Sequence, residues 1–342
     1  MKRIFLGGWG AVSPAGWGVP ALRAALENGA PLPVREMAHP ACDRILRVRE
    51  VPPPEPRPAF FRHPRLRRTS DLTRYAAAAA WEALGPDAAT RNNRRLGLIV
   101  CLQCGCVQYT CRFFDELLRD PATASPILFP ETVFNAPASH LAALLGGEPA
   151  LTLTLVGDPG TFLVGVAEGA EWILEGRVEE CLVVGAEEAH PLLADALWHF
   201  DHGGVLAAGA GAVRLTARPD RPDAPELACV THPFTYRKRL PRDHAALAMR
   251  SELLPARPGE LLCDGLQGRP RPDAAEQTAW RHWPGPRLSP KALLGEGLMA
   301  AGAWQCVVAA DALQQGRAPS AVVSLVGVNQ QAIGARFVAA GA

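Results

Sequence analysis

Apolar residues fall in two spacings along this chain, and the spacings alternate. Short runs that are apolar on nearly every position predict buried strands at Ile4-Phe5-Leu6, Leu96–Leu102, Leu151–Val156, 181–184 and 210–217. Between them lie longer segments with helical spacing. One spans 20–28 and is closed by Gly29; an alanine-rich one spans Asp71–Leu84, with Ser70 or Asp71 as its cap. Asn135-Ala-Pro-Ala138 starts another, where Pro137 is tolerated in the first turn. Thr161–Leu174 follows. The second half repeats the alternation in shorter form, with strands at 226–232, 260–263, 321–326 and 335–339 and helices at 243–253, 274–282 and 292–314. Alternation of this kind predicts a layered α/β protein. The segments 161–174 and 292–314 are apolar or small on most faces, so each belongs between two layers rather than outside them. Ala300-Ala-Gly-Ala303 would let backbones approach closely there.

Other stretches break both spacings. Gly7-Gly-Trp-Gly10 reads as a turn, without the spacing of a dinucleotide-binding loop. Residues 31–68 are rich in Pro and Arg and read as an irregular surface excursion, because Pro52-Pro-Pro-Glu-Pro56 excludes regular helix.

With 342 residues, 48% hydrophobic and 20% charged, the chain can bury a large core. The net charge of +1 gives no reason to expect nucleic-acid binding. Nine cysteines, an odd number in a long chain, fit a reducing cytoplasm better than a disulfide framework. The start, Met1-Lys-Arg-Ile-Phe-Leu-Gly-Gly8, has a charged head, but glycines interrupt it before an apolar leader core forms. No run approaches the roughly 18 apolar residues of a membrane span. A cytoplasmic protein without membrane or nucleic-acid partners is expected.

Several segments, in order, resemble β-ketoacyl synthases (ketosynthases). Gly10-Ala-Val-Ser-Pro-Ala-Gly16 is similar to the family's N-terminal turn, and Asn135-Ala-Pro-Ala138 to a family helix start. Val184-Gly-Ala-Glu187 is similar to a strand end, and Gly209-Ala-Gly211 to the end of a Gly-Glu-Gly-Ala-Gly run, with Ala208 at the glutamate. Ser289-Pro-Lys291, Gly295-Glu296 and Ala300-Ala-Gly-Ala303 are similar to Ser-x-Lys, Gly-His and Ala-Ala-Gly-Ala. The resemblance implies a thiolase-like, five-layer αβαβα fold of two similar halves, 1–217 and 218–342, forming one body. It also implies a dimer whose interface includes the edge strand 151–155. The family runs longer; the shortfall falls between Glu187 and Phe200 and around 240–260.

The same resemblance implies a degenerate site. Gly157, in Thr152-Leu-Thr-Leu-Val-Gly157-Asp-Pro-Gly-Thr161, stands where the family carries its acyl-accepting cysteine. Asp264, in Leu262-Cys-Asp264-Gly-Leu-Gln-Gly-Arg-Pro270, stands at one histidine, Glu296 at the other, and Lys291 is retained. Those histidines donate hydrogen bonds to an enolate as it develops. An ionised carboxylate only accepts. Placed about 4 Å from the developing charge it costs ~4 kcal/mol at an effective dielectric of about 20, roughly a thousandfold in rate. Three arrangements of Asp264, Glu296 and Lys291 remain open: a buried ion network, an acid/base pair in an emptied pocket, or unrelated surface positions. Asp158, Thr161, Cys104 and Cys106 would line the acyl pocket.

The run Cys101-Leu-Gln-Cys104-Gly-Cys106 with Cys111 lacks the second pair of a zinc site, and reads first as buried small residues, then as a relocated thiol. His199 with Asp201-His202 can suggest a metal, but the matching family segment is a structural turn. No metal or cofactor is expected. Arg62, Arg65, Arg67 and Arg68 form a basic run, either a solvated face or a dock for an acidic acyl carrier protein; Arg91, Arg94 and Arg95, and Arg237-Lys-Arg239, are smaller ones.

The expected function is that of a catalytically inactive ketosynthase homologue. It would resemble a chain-length factor, the partner subunit of an active ketosynthase in polyketide, aryl polyene or fatty acid biosynthesis. The alternatives are an acyl-thioester hydrolase or other acyltransferase using Asp264 and Glu296, and a homodimeric acyl-binding scaffold without catalysis.

Overall fold

The structure, a computed structural model, describes residues 3–39, 42–85, 95–145, 149–237, 241–328 and 330–341. Arg91, Arg94, Lys238 and Arg239 lie outside the described residues. In chain order the strands are β1 (Phe5–Ser13), β2 (Gly16–Trp17), β3 (Arg35–Ala38), β4 (Ile45–Arg49), β5 (Leu96–Leu102), β6 (Leu151–Val156), β7 (Glu180–Glu187), β8 (Leu206–Ala207), β9 (Gly209–Thr216), β10 (Glu226–Val230), β11 (Phe234–Thr235), β12 (Leu261–Cys263), β13 (Arg287–Leu288), β14 (Ser320–Val326) and β15 (Gln331–Val338). The helices are α1 (Val19–Asn28), α2 (Asp71–Leu84), α3 (Val107–Arg119), α4 (Ala136–Leu144), α5 (Thr161–Leu174), α6 (Pro191–Phe200), α7 (Arg242–Leu253), α8 (Pro270–Ala279), α9 (Pro290–Leu294) and α10 (Met299–Gln314).

Two groups of five strands share one topology. The first runs β6-β5-β7-β9-β1 and the second β13-β12-β14-β15-β10. In each, the three outer strands are parallel and the last two pair antiparallel. A single pairing, Phe5 with Glu226, joins them. Between the groups lie α5 and α10, each packed on strands of both. Helices α2 and α4 cover the outer face of the first group, and α7 and α8 that of the second. This is the expected αβαβα layering. In α10, residues 299–313 are all buried, as all-round apolar character requires. Helix α2 begins where its cap places it, with Ser70 Oγ accepting from the Thr73 N–H at 3.3 Å.

Close approach explains the glycines. Gly7-Gly-Trp-Gly10 is not a turn but the middle of β1. A Cβ at Gly8 would stand 2.1 Å from the Ala83 carbonyl oxygen and one at Gly10 2.2 Å from that of Ala79, so α2 lies directly on this strand. The Arg214 guanidinium occupies the side-chain space at Gly7, where its Nη2 donates to the Gly7 carbonyl at 2.6 Å. Glycine here reports packing, not a bend. At the central layer, Gly211 admits Ala303, whose Cβ would meet an added Cβ at 2.7 Å.

Other differences have local causes. The 31–68 excursion contains the hairpin β3–β4, extended by β8 into a small separate sheet. The segment 292–314 is two helices, because the chain leaves α9 at Gly295 with φ 96° and re-enters at Leu298 with φ 49°. The helix expected at 274–282 begins earlier, with Pro270 in its first turn. Helices α3 and α6 were not anticipated; α6 occupies the shortened stretch after Glu187. Among the described residues, no helix is long and apolar enough to cross a membrane.

Gly8→Ala should destabilise by about 3 kcal/mol through overpacking against α2. Gly176→Ala meets nothing within 4 Å but has φ 74°, and should cost only about 1–2 kcal/mol from backbone strain. Urea denaturation of both variants checks the order.

Candidate functional site

At the end of β6 the chain turns into α5 through Gly157-Asp-Pro-Gly160. The Gly157 N–H donates to the Leu102 carbonyl at 3.0 Å, continuing the β5–β6 ladder. A Cβ at this position would lie 2.2 Å from Thr161 Oγ1 and 3.2 Å from Gln330 Oε1. Thr161 Oγ1 in turn accepts from Gln331 Nε2 at 3.3 Å. The space a side chain would use is therefore already filled. Next to it, Asp158 is 1% exposed. Its carboxylate accepts from the N–H groups of Gly160, Gln330 and Gln331, each at 3.1 Å, and from Gln331 Nε2 at 3.3 Å. Burial pushes this acid up, and the four donors pull it back. Asp158 and Thr161, expected to face substrate, make internal bonds instead.

The other positions singled out by the resemblance come together beyond the C-terminal ends of β12 and β13. Asp264 follows β12, Lys291 lies on α9, and Glu296 sits between α9 and α10. They are 0%, 5% and 1% exposed, which excludes the surface arrangement. Lys291 Nζ donates to Glu296 Oε2 at 2.8 Å, and Gln267 Nε2 donates to the same oxygen at 2.9 Å. Glu296 Oε1 takes the Leu298 N–H at 2.9 Å. Asp264 is not paired with this lysine. Its Oδ1 accepts from Ser289 Oγ at 2.5 Å and from the Leu266 N–H at 3.3 Å, while Arg287 Nη1 stands 3.6 Å from Oδ2. Segment 264–267 thus links the two carboxylates, with Asp264 at one end and Gln267 reaching Glu296 from the other.

A third buried acid was not anticipated. Glu276, on α8, accepts from Ser324 Oγ and, at 3.1 Å, from the Gly265 N–H. Burial raises Glu276, and the neighbouring Asp264 charge raises it further. Burial likewise raises Asp264. Gln305 completes the wall, donating to the carbonyls of Ser324 and Cys263 at 2.8 and 3.3 Å. The sequence signal was present: Glu276 shares a helix face with Ala279 and Trp280, both buried.

The cysteine loop holds another pair of acids. Glu187 is fully buried and accepts from the N–H groups of Gln103 and Cys104, the latter at 3.1 Å. Glu188 accepts from the Gln108 N–H at 2.6 Å, at the start of α3. Burial lifts Glu187 to about 8 and Glu188 to about 7. Burial first, then these carboxylates, pushes the thiols of Cys104 and Cys106 up to about 12. Neither is an activated nucleophile. Among the described residues no group of His, Cys, Asp and Glu is arranged to hold a metal. Asp201 is engaged by Arg269 instead, with its Oδ2 2.5 Å from Nε. Arg62 and Arg65 are exposed on two 3-10 turns, Ala59–Arg62 and Pro64–Leu66, anchored by buried Phe61 and Leu66, and Arg67 and Arg68 are exposed just after the second.

No family model matches the sequence, and no curated protein is similar to it by sequence. Solved structures are similar in fold. The ishigamide ketosynthase/chain length factor superposes with a TM-score of 0.77 at 18% identity, covering 99% of this chain and 100% of that one. A type II polyketide ketosynthase, solved in complex with its acyl-carrier protein and bound to a hexaketide, gives 0.80 at 17%, covering 99% of each. A ketosynthase in complex with its chain length factor from Xenorhabdus doucetiae gives 0.76 at 15%, covering 99% and 98%. The chain has a ketosynthase-like thiolase fold.

Two outcomes follow from the buried acids. Glu187 and Glu188 are raised from an ordinary value of 4.5, so the folded state holds protons that the unfolded state releases. Their contribution is full below about pH 4.5 and is lost as pH rises through about 7–8. Denaturation midpoints should fall between pH 5 and 8 and recover part of that loss in Glu187→Gln. Lys291→Ala strands Glu296 and should cost about 3–5 kcal/mol, whereas Lys291→Met with Glu296→Leu should cost less; chemical denaturation of the three proteins compares them.

Proposed function

We propose that the protein is a ketosynthase-like partner subunit without condensing activity, acting as a chain-length factor does beside an active ketosynthase. The observation that carries the reading is the filled space at Gly157. A thioester acceptor at this junction needs a side chain, and a Cβ there would overlap Thr161 Oγ1 at 2.2 Å. The Lys291–Glu296 pair supports the same reading. Both Glu296 oxygens are engaged by internal donors, so the group offers an enolate no hydrogen bond. That engagement also disfavours a hydrolase built on Asp264 and Glu296.

The partner surface is the edge strand β6. It ends the first strand group, and its outer edge has no strand neighbour among the described residues. The segment Leu151–Val156 carries no Lys or Pro to guard an edge. Helix α4 packs beside it, and the turn Phe129–Glu131 joins α4 to α3. Along this side Phe114, Leu118, Ile127, Phe129 and Val156 are all more than half exposed. Apolar exposure of this kind marks an interaction surface. A second copy or a ketosynthase of the same fold would cover it, and the exposed arginines 62, 65, 67 and 68 would meet an acidic carrier protein.

Purified protein supplied with an acyl carrier thioester should show no acyl adduct at residue 157 and no condensation product. Intact-protein mass spectrometry and a condensation assay read the two steps separately. Gly157→Cys should also stay unacylated, because Thr161 holds the space; Gly157→Cys with Thr161→Ala should acylate slowly, since the α5 N-terminus favours a thiolate. Coexpression with an intact ketosynthase of the same source should yield a heterodimer on size exclusion, and Leu153→Arg should break it. Condensation by the wild-type protein alone would overturn the reading.

A further inference from the structure

We propose that Cys42, His39 and Asp195 form a surface nucleophile–base–carboxylate triad that accepts an acyl group from a thioester. His39 and Cys42 lie between β3 and β4, and Asp195 lies on α6, the helix that packs on the small sheet β3–β4–β8. Cys42 Sγ is 3.2 Å from His39 Nδ1. On the other side of the ring, His39 Nε2 is 3.6 Å from Asp195 Oδ1. A thiol, an imidazole within its reach and a carboxylate on the second ring nitrogen are the parts that activate a cysteine.

The surroundings fix the parts. His39 follows β3, and its N–H donates to the Arg44 carbonyl at 2.8 Å. Asp195 projects from α6 and also accepts from Arg44 Nη1. The Arg44 guanidinium rests on the Trp198 ring, 3.8 Å from its centroid, so the carboxylate is clamped from a second direction. The side chains of His39 and Asp195 are 19% and 21% exposed, a half-buried base beneath an accessible thiol. Of the nine cysteines, Cys42 is the one that is exposed; the rest are buried or partly so.

The tautomer with Nε2–H toward Asp195 leaves the Nδ1 lone pair facing the thiol. Nδ1 takes the Sγ proton, and sulfur attacks the thioester carbonyl. A carbon–sulfur bond forms to Cys42 as the bond to the departing thiolate breaks, and that thiolate takes the proton from His39. A thiolate leaves without much help, which suits an exposed site better than amide cleavage would. The choice of a thioester rests on the proposed function; the activated thiol does not.

The test uses the full chain and two probes, with peptide mapping by mass spectrometry. With limiting iodoacetamide, Cys42 should label first among the cysteines. His39→Gln should slow that labelling by about tenfold or more, and in His39→Gly added imidazole should restore it. Asp195→Asn should slow it while Asp195→Glu retains it, a distinction that loss of structure would not make. With an acyl-N-acetylcysteamine thioester, the Cys42 peptide should gain the acyl mass, and Cys42→Ala should gain none. Unchanged labelling in His39→Gln would overturn the triad. His39-dependent labelling without acylation would overturn the acyl-acceptor role. Neither result bears on ketosynthase pairing, which size exclusion reads independently.

Discussion

The carboxylate of Asp158 ties the first strand group to the second at the point where the fold turns from strand to helix. It draws in the backbone N–H groups of Gln330 and Gln331 across the central layer and that of Gly160 beside it. This constraint dictates its surroundings. Gly327 must be glycine, because a Cβ there would lie 1.8 Å from Asp158 Oδ2. Gly302 must be glycine, because a Cβ would meet the Pro159 carbonyl at 2.5 Å. With the hairpin drawn in, Gln331 holds the Thr161 hydroxyl, and that hydroxyl occupies the side-chain space of Gly157. A junction able to present a nucleophile is spent here on holding the layers together.

The buried acids follow a related logic. Taking a carboxylate out of water costs several kcal/mol unless donors replace the lost solvent. Glu296 is compensated by Lys291 and Gln267, while Asp264 and Glu276 receive hydroxyl and amide donors and are pushed toward their neutral forms. Such a cluster fills space and fixes the 264–267 segment.

Much of the fold was legible because buried strands and all-apolar helices leave strong patterns. Asp71–Leu84 and Thr161–Leu174 begin and end where their caps and spacing place them. Gly7 to Gly10 was misread because a glycine that admits a neighbouring helix looks, in one dimension, like a glycine that bends the chain. The split at Gly295 to Leu298 was hidden by apolar residues on both sides. At the site, the chain order of motifs singled out Gly157, Asp264, Lys291 and Glu296, but which of the acids Lys291 pairs with was open until the 2.8 Å bond to Glu296 showed it. Glu276 was missed although Ala279 and Trp280 mark its face of α8, and Gln305 was missed because α10 is buried on every side and no one face marks the site. The Cys42–His39–Asp195 group joins residues some 150 positions apart, which no local pattern encodes.

Decarboxylation of a malonyl thioester isolates enolate formation from acyl loading, and so tests whether this site can hold a developing enolate charge. The protein alone, incubated with malonyl carrier protein, should release carbon dioxide no faster than the uncatalysed background. A saturable rate above background that is abolished by substituting Lys291 or Glu296 would contradict the account.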